Sequence, residues 1–281
     1  MTPIEAKKIG TLFAGPWVGE FGWELFCWQG MIRKFVHLRD IDRVVIGCRS
    51  GHEYLYEDFA DEFVNVDPIA ITDCQRCATY DYDNLHEKYL NHPDDKWVNP
   101  FIVYDKKVQC RNGSKLCFIP NCEYIQYGNP ALVQKKYDII IHARSTEKYG
   151  TDFRNPPSSK FSEIVEYTGL SFASIGSEHG AFHIPGTDDL RGVPLEELCA
   201  YISASTMVMG PSSGPMHLAS LCGTPHLVWS GDEPNVDRYE KYWNPFKTKV
   251  KILDHTYGWN PPLTTLLKEL EQFYAICCNA V

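Results

Sequence analysis

Four short segments of this chain carry residue types able to grip a phosphate or move a proton. The first is Ser212-Ser213-Gly214, with His217 one turn later; it lies between a short apolar run (Met207, Val208, Met209) and a helix start. Small residues at a helix start present free backbone N–H groups, hydroxyls and the positive end of the helix dipole, a seat for a phosphate or diphosphate. The second is His142-Ala143-Arg144, with Lys148 beyond, directly after the buried run Ile139-Ile140-Ile141. Arg144 and Lys148 are the cations suited to neutralising a diphosphate, Arg144 by bidentate contact. His142 reads equally as a satisfied core histidine or as a ligand. The third, Gly176-Ser177-Glu178-His179, ends another strand and either borders a base or ribose or is a plain turn. The fourth is the loop from Gly15 to Glu24, whose Glu20 and Glu24 either cap a helix or serve as a general base facing a hydroxyl.

These segments need a frame that brings strand ends together. Ile9–Gly15 reads as a first strand, and Trp23–Leu38 carries Leu25, Trp28, Ile32 and Phe35 at helical spacing. Val44–Ile46 is a second strand and Glu53–Phe63 a second helix. The chain from Pro68 to Pro130 has no strong period and reads as an irregular completion of the first half. Regularity returns with strands at Ile139–Ile141, Leu170–Ile175, Met207–Met209, Leu227–Trp229 and Val250–Leu253, alternating with helices at Ser162–Tyr167, Pro194–Ser203 and Thr264–Cys277. Strands alternating with helices imply parallel sheets, so the fold class is α/β with two Rossmann-like domains and a cleft between them. The expected division is 1–130 for the first domain and 131–260 for the second. Residues 261–281 form a closing helix packed back on the first domain.

Composition narrows the function classes. The 44% hydrophobic and 13% aromatic content is that of a globular chain, and the net charge of −9 supplies no global field for nucleic acid or an anionic membrane. No apolar run reaches membrane-spanning length and no signal-peptide core is visible, so the protein is expected to be cytoplasmic. The 11 cysteines then read as free thiols in a reducing compartment. Cys74 and Cys77 have zinc-knuckle spacing, with Cys117 and Cys122 as a conceivable second pair, but no second CxxC follows. Asp81-Tyr82-Asp83 has the form of a metal-holding Asp-x-Asp but lies away from any strand end. No Gly-x-Gly-x-x-Gly, Walker loop, His-Glu-x-x-His or nucleophile elbow is present. No metal and no cofactor are therefore expected.

The run from Gly186 to Ser205, continuing through Gly210–Ala219 to Gly223-Thr224-Pro225, resembles the C-terminal half of heptosyltransferase-like glycosyltransferases. The segment Arg238–Phe246 is similar to that family's loop after the next strand. The resemblance implies a GT-B architecture and a nucleotide-diphosphate sugar as substrate. On the loop chemistry read above, the donor is expected on His142, Arg144, Lys148, Gly176, Ser212, Ser213, Gly214 and His217. The family's acidic residue in the phosphate turn is Ser212 here, and its first-loop base matches Glu20, which follows Gly19; Glu24 is the second choice. His142-Ala143-Arg144 is also similar to the His-x-Arg segment of fucosyltransferases. The expected activity is metal-independent, inverting transfer of a sugar to a glycan or other acceptor hydroxyl. Two rival readings remain: transfer to a modified base in DNA, guided by a local groove of Arg33, Lys34, Arg39 and Arg43, and a scaffold that binds nucleotide sugar without catalysis. Donor, acceptor and oligomeric state are not specified by the pattern.

Overall fold

The structure is a computed structural model and describes residues 8–67, 70–71, 78–79, 85–104, 107–110, 122–146 and 152–279. It divides into two compact units, Met1–Tyr124 and Ile125–Val281. The division falls six positions before the expected boundary at residue 130, because Tyr127 already donates its N–H to Leu221 O of the second unit.

The first unit is built on a four-stranded parallel sheet in the order Glu62–Asn65, Ile41–Cys48, Ile9–Ala14, Lys96–Val98. Leu12, Phe13 and Ala14 are fully buried, as are Val45 and Ile46 on the neighbouring strand, giving the near-continuous apolar runs of a sheet covered on both faces. The helix after the first strand is not regular. Phe21–Trp23 is one helical turn, Glu24–Trp28 widens to π-type bonding, and Gln29–His37 resumes the α-form. Single π-turns of this kind sit disproportionately at functional positions.

The expected helix over Glu53–Phe63 is absent. Glu53–Leu55 makes a single 3-10 turn, and Phe63 belongs to the edge strand, opposite Ile46. The apolar positions Leu55, Tyr56 and Phe59 that suggest a helix serve other contacts. Tyr56 is buried, and the Phe59 ring lies 5.2 Å from the Arg33 guanidinium. Arg33 itself is fully buried and forked onto Asp58, with Nε–Oδ2 at 2.7 Å and Nη2–Oδ1 at 2.9 Å. It is thus withdrawn from the basic groove expected of it, while Arg43 pairs with Glu62 and Arg39 covers the Phe35 ring.

The second unit carries six parallel strands in the order Asp188–Asp189, Phe172–Ser174, Ile139–Ile141, Met207–Pro211, His226–Trp229, Val250–Ile252. Numbered along the chain this is 3-2-1-4-5-6, the doubly wound order in which winding reverses between Ile139–Ile141 and Met207–Pro211. Helices Ser158–Thr168, Leu195–Ala204 and Gly214–Leu221 connect the strands. The closing helix, Leu263–Cys278, is present as expected, but it packs elsewhere. Its Leu266, Leu270, Phe273 and Cys277 enter the second unit's own core with Phe161, Ile164, Met209 and Trp229, and Tyr274 donates to Asp138 at 2.6 Å. Four residues on one helical stripe removed from water contribute roughly 1.5–3 kcal/mol each for the larger three, enough to commit the helix to that core. Among the described residues no helix is long and apolar enough to cross a membrane.

Candidate functional site

Ligands of open parallel sheets bind beyond the C-terminal strand ends where the winding reverses. In the second unit that point lies between the segment after Ile139–Ile141 and the turn after Met207–Pro211. His142 and Ser213 bridge it, with Nδ1 and Oγ 2.8 Å apart. His142 also donates its backbone N–H to Met209 O at 2.9 Å. Two glycines make room for His142, Gly210 beside its backbone and Gly176 beside its ring. A Cβ on Gly210 would stand 2.7 Å from His142 O, and one on Gly176 would stand 2.6 Å from Ala181 Cβ and 3.1 Å from His142 Cδ2. Gly176 also has φ 128°, where an L side chain is strained. That backbone lets the turn admit His142. Burial, aided by the charge of Arg144, pushes the His142 pKa down to about 3, so the imidazole is neutral.

The chain then turns back on itself. Phe182 donates to Ala143 O at 2.7 Å, Ser145 donates to Gly180 O at 3.0 Å, and Arg144 pairs with Ala181 in an antiparallel bridge. The Arg144 side chain is half-buried at the strand end, its Nε 3.4 Å from Thr146 O. Lys148, expected beside it, lies outside the described residues. Ser177, Glu178 and His179 enter the same return turn. Gly180 donates to Ser177 O, and Arg191 Nη1 reaches Glu178 O at 3.4 Å.

The serine turn differs from expectation in where its hydroxyls go. Ser212 is buried, and its Oγ accepts from Tyr239 at 3.2 Å and from Asn235 at 3.4 Å. Ser213 spends its hydroxyl on His142. What the turn can offer an anion is the start of the Gly214–Leu221 helix, where the N–H groups of Gly214 and Met216 stand in the first turn and Pro215 has none. His217 is one turn in and buried, stacked on Tyr239 at 4.6 Å and edge-on to Trp243 at 4.6 Å. Burial together with the nearby His226 and Arg238 charges lowers its pKa to about 3, and its place is the aromatic packing that backs the turn. Asn235 and Tyr239 are absent from the sequence-based site. Tyr239 sits in the Arg238–Phe246 segment, which was the available signal. On the next strand end Arg154 pairs with Asp232 at 3.1 Å and covers the Trp259 ring at 4.4 Å, a contact spread over widely separated positions and not visible in the sequence.

The first unit has its own C-terminal edge. Gly15 turns with φ 118°, and a Cβ there would collide with Gly47 O. Trp17 then donates to Gly47 O at 3.0 Å, and the loop runs on to Glu20, whose carbonyl accepts from Trp23 and Glu24 at the helix start. Glu20 is partly open, and its side chain makes no cap bond. Glu24 is enclosed, its side chain 0% exposed. Its Oε1 accepts from the Tyr56 hydroxyl at 2.7 Å, and its Oε2 lies 2.7 Å from His52 Nδ1. Both carboxylate oxygens expected to serve as a base are thus engaged by protein groups, Tyr56 and His52. Cys122 is a buried free thiol whose Sγ lies 3.6 Å from Cys27 O. Cys27 is disulfide-bonded, against the expectation that all thiols are free. Cys74, Cys77, Cys117, Asp81 and Asp83 lie outside the described residues.

No family model matches the chain, and no curated protein matches it in sequence. Solved structures do. The chain is similar to a glycosyltransferase family 9 protein from Veillonella parvula, with a TM-score of 0.63, 10% identity, 97% of this chain covered and 99% of that one. It is similar to the Escherichia coli ADP-heptose lipopolysaccharide heptosyltransferase II at a TM-score of 0.60, 12% identity and 95% and 99% coverage. The E. coli heptosyltransferase WaaC, solved with ADP-2-deoxy-2-fluoro heptose, matches at 0.56 with 9% identity over 94% and 99%. The likeness shows the fold, two parallel α/β sheets of the kind those glycosyltransferases have, as the family resemblance implied.

Proposed function

We propose that this chain is a glycosyltransferase that moves a sugar from a nucleotide-diphosphate sugar to an acceptor hydroxyl. The observation that carries the reading is the makeup of the second sheet's switch point. A helix start with free N–H groups and the Arg144 guanidinium stand at the two strand ends between which ligands of such sheets bind. The whole-length likeness to glycosyltransferases supports it, and two of those neighbours carry ADP-heptose or its analogue in their names.

In this reading the second unit binds the donor and the first supplies the acceptor side. Arg144 and the amides at Gly214 and Met216 hold the diphosphate and stabilise the negative charge that develops on it as the sugar departs. Fixed donors aimed at developing charge are the largest single contribution in most such sites. Neutral His142 fixes the turn through Ser213, so that the amides keep their direction. With the leaving group held by protein donors, we propose that turnover needs no metal, and that one displacement at the anomeric carbon inverts its configuration.

The test is a thermal-shift screen of ADP, UDP and GDP sugars, followed by assay of nucleoside diphosphate release with chelator present. A donor bound only by the folded state raises the Tm by a few degrees at about 100 times its Kd. Arg144→Ala is expected to lower that shift and cut turnover at least tenfold. Wild-type binding and turnover in Arg144→Ala would remove the assignment, and loss of turnover with chelator would remove metal independence.

A further inference from the structure

We infer that His52 is the residue that takes the proton from the acceptor, with Glu24 positioning it from behind; this rests on the proposed glycosyl transfer. The Ile41–Cys48 strand lies next to Ile9–Ala14, so the residues just after it share the C-terminal edge with the Gly15–Glu20 loop. His52 is four positions past that strand. Its side chain is 21% exposed, while the carboxylate that holds it is fully enclosed.

The hydrogen-bond pattern fixes the direction of the proton. An ionised carboxylate only accepts, so Glu24 Oε2 takes an N–H from His52 Nδ1 at 2.7 Å, and Glu24 Oε1 takes the Tyr56 O–H at 2.7 Å. The proton on Nδ1 leaves Nε2 with its lone pair. No described residue hydrogen-bonds Nε2. The ring is further set by Phe21, whose centroid lies 5.2 Å away. A partly open imidazole, held in one tautomer by a buried carboxylate that is itself held by a tyrosine, is the arrangement of an oriented general base. Glu20, by contrast, makes no side-chain cap bond, and its carbonyl serves the helix start. Glu24 opens the π-type turn Glu24–Trp28, and its side chain lies inward against Tyr56 and His52.

The step balances as follows. The acceptor oxygen forms its bond to the anomeric carbon while its proton passes to His52 Nε2. The bond from the anomeric carbon to the diphosphate oxygen breaks, and its electron pair leaves on the nucleoside diphosphate. The resulting imidazolium keeps its Nδ1–H on the Glu24 carboxylate, whose charge offsets it, and then releases the Nε2 proton to water.

The test uses the full chain with whichever of ADP-, UDP- or GDP-glucose gives the largest thermal shift, and follows nucleoside diphosphate release with water as acceptor. His52→Ala is expected to lower kcat by about 10²- to 10⁴-fold with the donor-induced shift unchanged, and added imidazole to restore part of the rate. Glu24→Gln should also lower kcat at unchanged donor KM, while Glu24→Asp recovers some of it. A His52→Ala protein that turns over like wild type, or a loss seen in Glu20→Gln instead, overturns the assignment. If His52→Ala melts early, His52→Gln and the imidazole response decide: no rescue with a bound donor counts against a base. Absence of any donor binding by wild type would instead overturn the parent reading, and this one with it.

Discussion

Each unit places a histidine at the C-terminal edge of its sheet, and the two are built for opposite ends. His142 is enclosed between two glycines, bonded to a hydroxyl, and kept neutral by burial with its pKa near about 3. His52 is partly open and bonded to a buried carboxylate. A neutral partner asks nothing of the ring except its shape, so His142 serves as a strut for the phosphate turn. A carboxylate partner takes the Nδ1 N–H and leaves the Nε2 lone pair unprotonated, so His52 is held in the tautomer of a base. The surroundings follow the same division. The first edge is backed by enclosed charge, Glu24 and the Arg33–Asp58 fork; the second is backed by neutral aromatics, His217, Tyr239 and Trp243. Residue type alone does not set the role; the partner behind it does.

The largest expected difference breaks the comparison at the histidines themselves. His52→Ala should cost about 10²- to 10⁴-fold in kcat and little in stability. His142→Asn should weaken donor binding and destabilise by about 1–3 kcal/mol, while the chemical step on donor that does bind changes by less than tenfold. Steady-state kinetics with urea denaturation of both variants reads the two axes separately. Equal effects on both axes for the two variants would erase the distinction.

Next is the charge behind the first edge. Removing one partner of an enclosed ion pair leaves the other uncompensated, at about 3–5 kcal/mol. Asp58→Ala should fall at about the lower end, because Asp58 is 27% exposed and Arg33 keeps bonds to the carbonyls of Leu55 and Glu123. A change under about 1 kcal/mol in the urea midpoint would show that Arg33 finds water there.

The contrast also explains which features are readable from the chain. The Ser212–Gly214 turn is legible because its strand, small residues and helix are contiguous, and contiguity is what periodicity detects. The strands of the second unit are legible for the same reason: Ile139-Ile140-Ile141 and Leu227-Val228-Trp229 are buried on both faces and read as unbroken apolar runs. Glu24 was visible as a carboxylate near the first loop, but its partners stand 28 and 32 positions away, and nothing local announces them. Tyr56 and Phe59 mimic a helix face because ring packing and ion-pair cover use the same residue types as a helix stripe. The closing helix shows the limit most plainly: an apolar stripe requires a core but does not say which one. Its length and face are readable at Leu266, Leu270 and Phe273, while the choice of the second unit is a tertiary fact.

A pH series sharpens the comparison on the second unit. His142, His217 and His226 are buried there with pKa values lowered by burial to about 3, 3 and 4. In the unfolded chain each takes up a proton near about 6.5. Below that value the unfolded state binds more protons than the folded one. Stability is therefore held in full above about pH 6.5 and lost as pH falls toward about 3. The slope is about 1.4 kcal/mol per pH unit for each such histidine. Urea denaturation at pH 7, 6 and 5 should show the second unit weakening, and His142→Asn should lower the slope by about one proton. An unchanged slope in that variant would mean the imidazole titrates in the folded state.

The smallest effect is expected at Ser212, the residue that stands where the resembling family has an acid. Its hydroxyl accepts from Tyr239 at 3.2 Å and Asn235 at 3.4 Å, both long, and Asn235 keeps a better acceptor in Ser230 Oγ at 2.6 Å. Ser212→Ala should therefore cost about 1 kcal/mol of stability and leave the donor-induced thermal shift nearly unchanged. Ser213→Ala removes the bond that ties the turn to His142 and should reduce the shift more. If Ser212→Ala abolishes donor binding while Ser213→Ala does not, the hydroxyl at 212 contacts the donor itself. The turn would then open toward its ligand when bound, and the strut assigned to His142 would belong only to the empty protein.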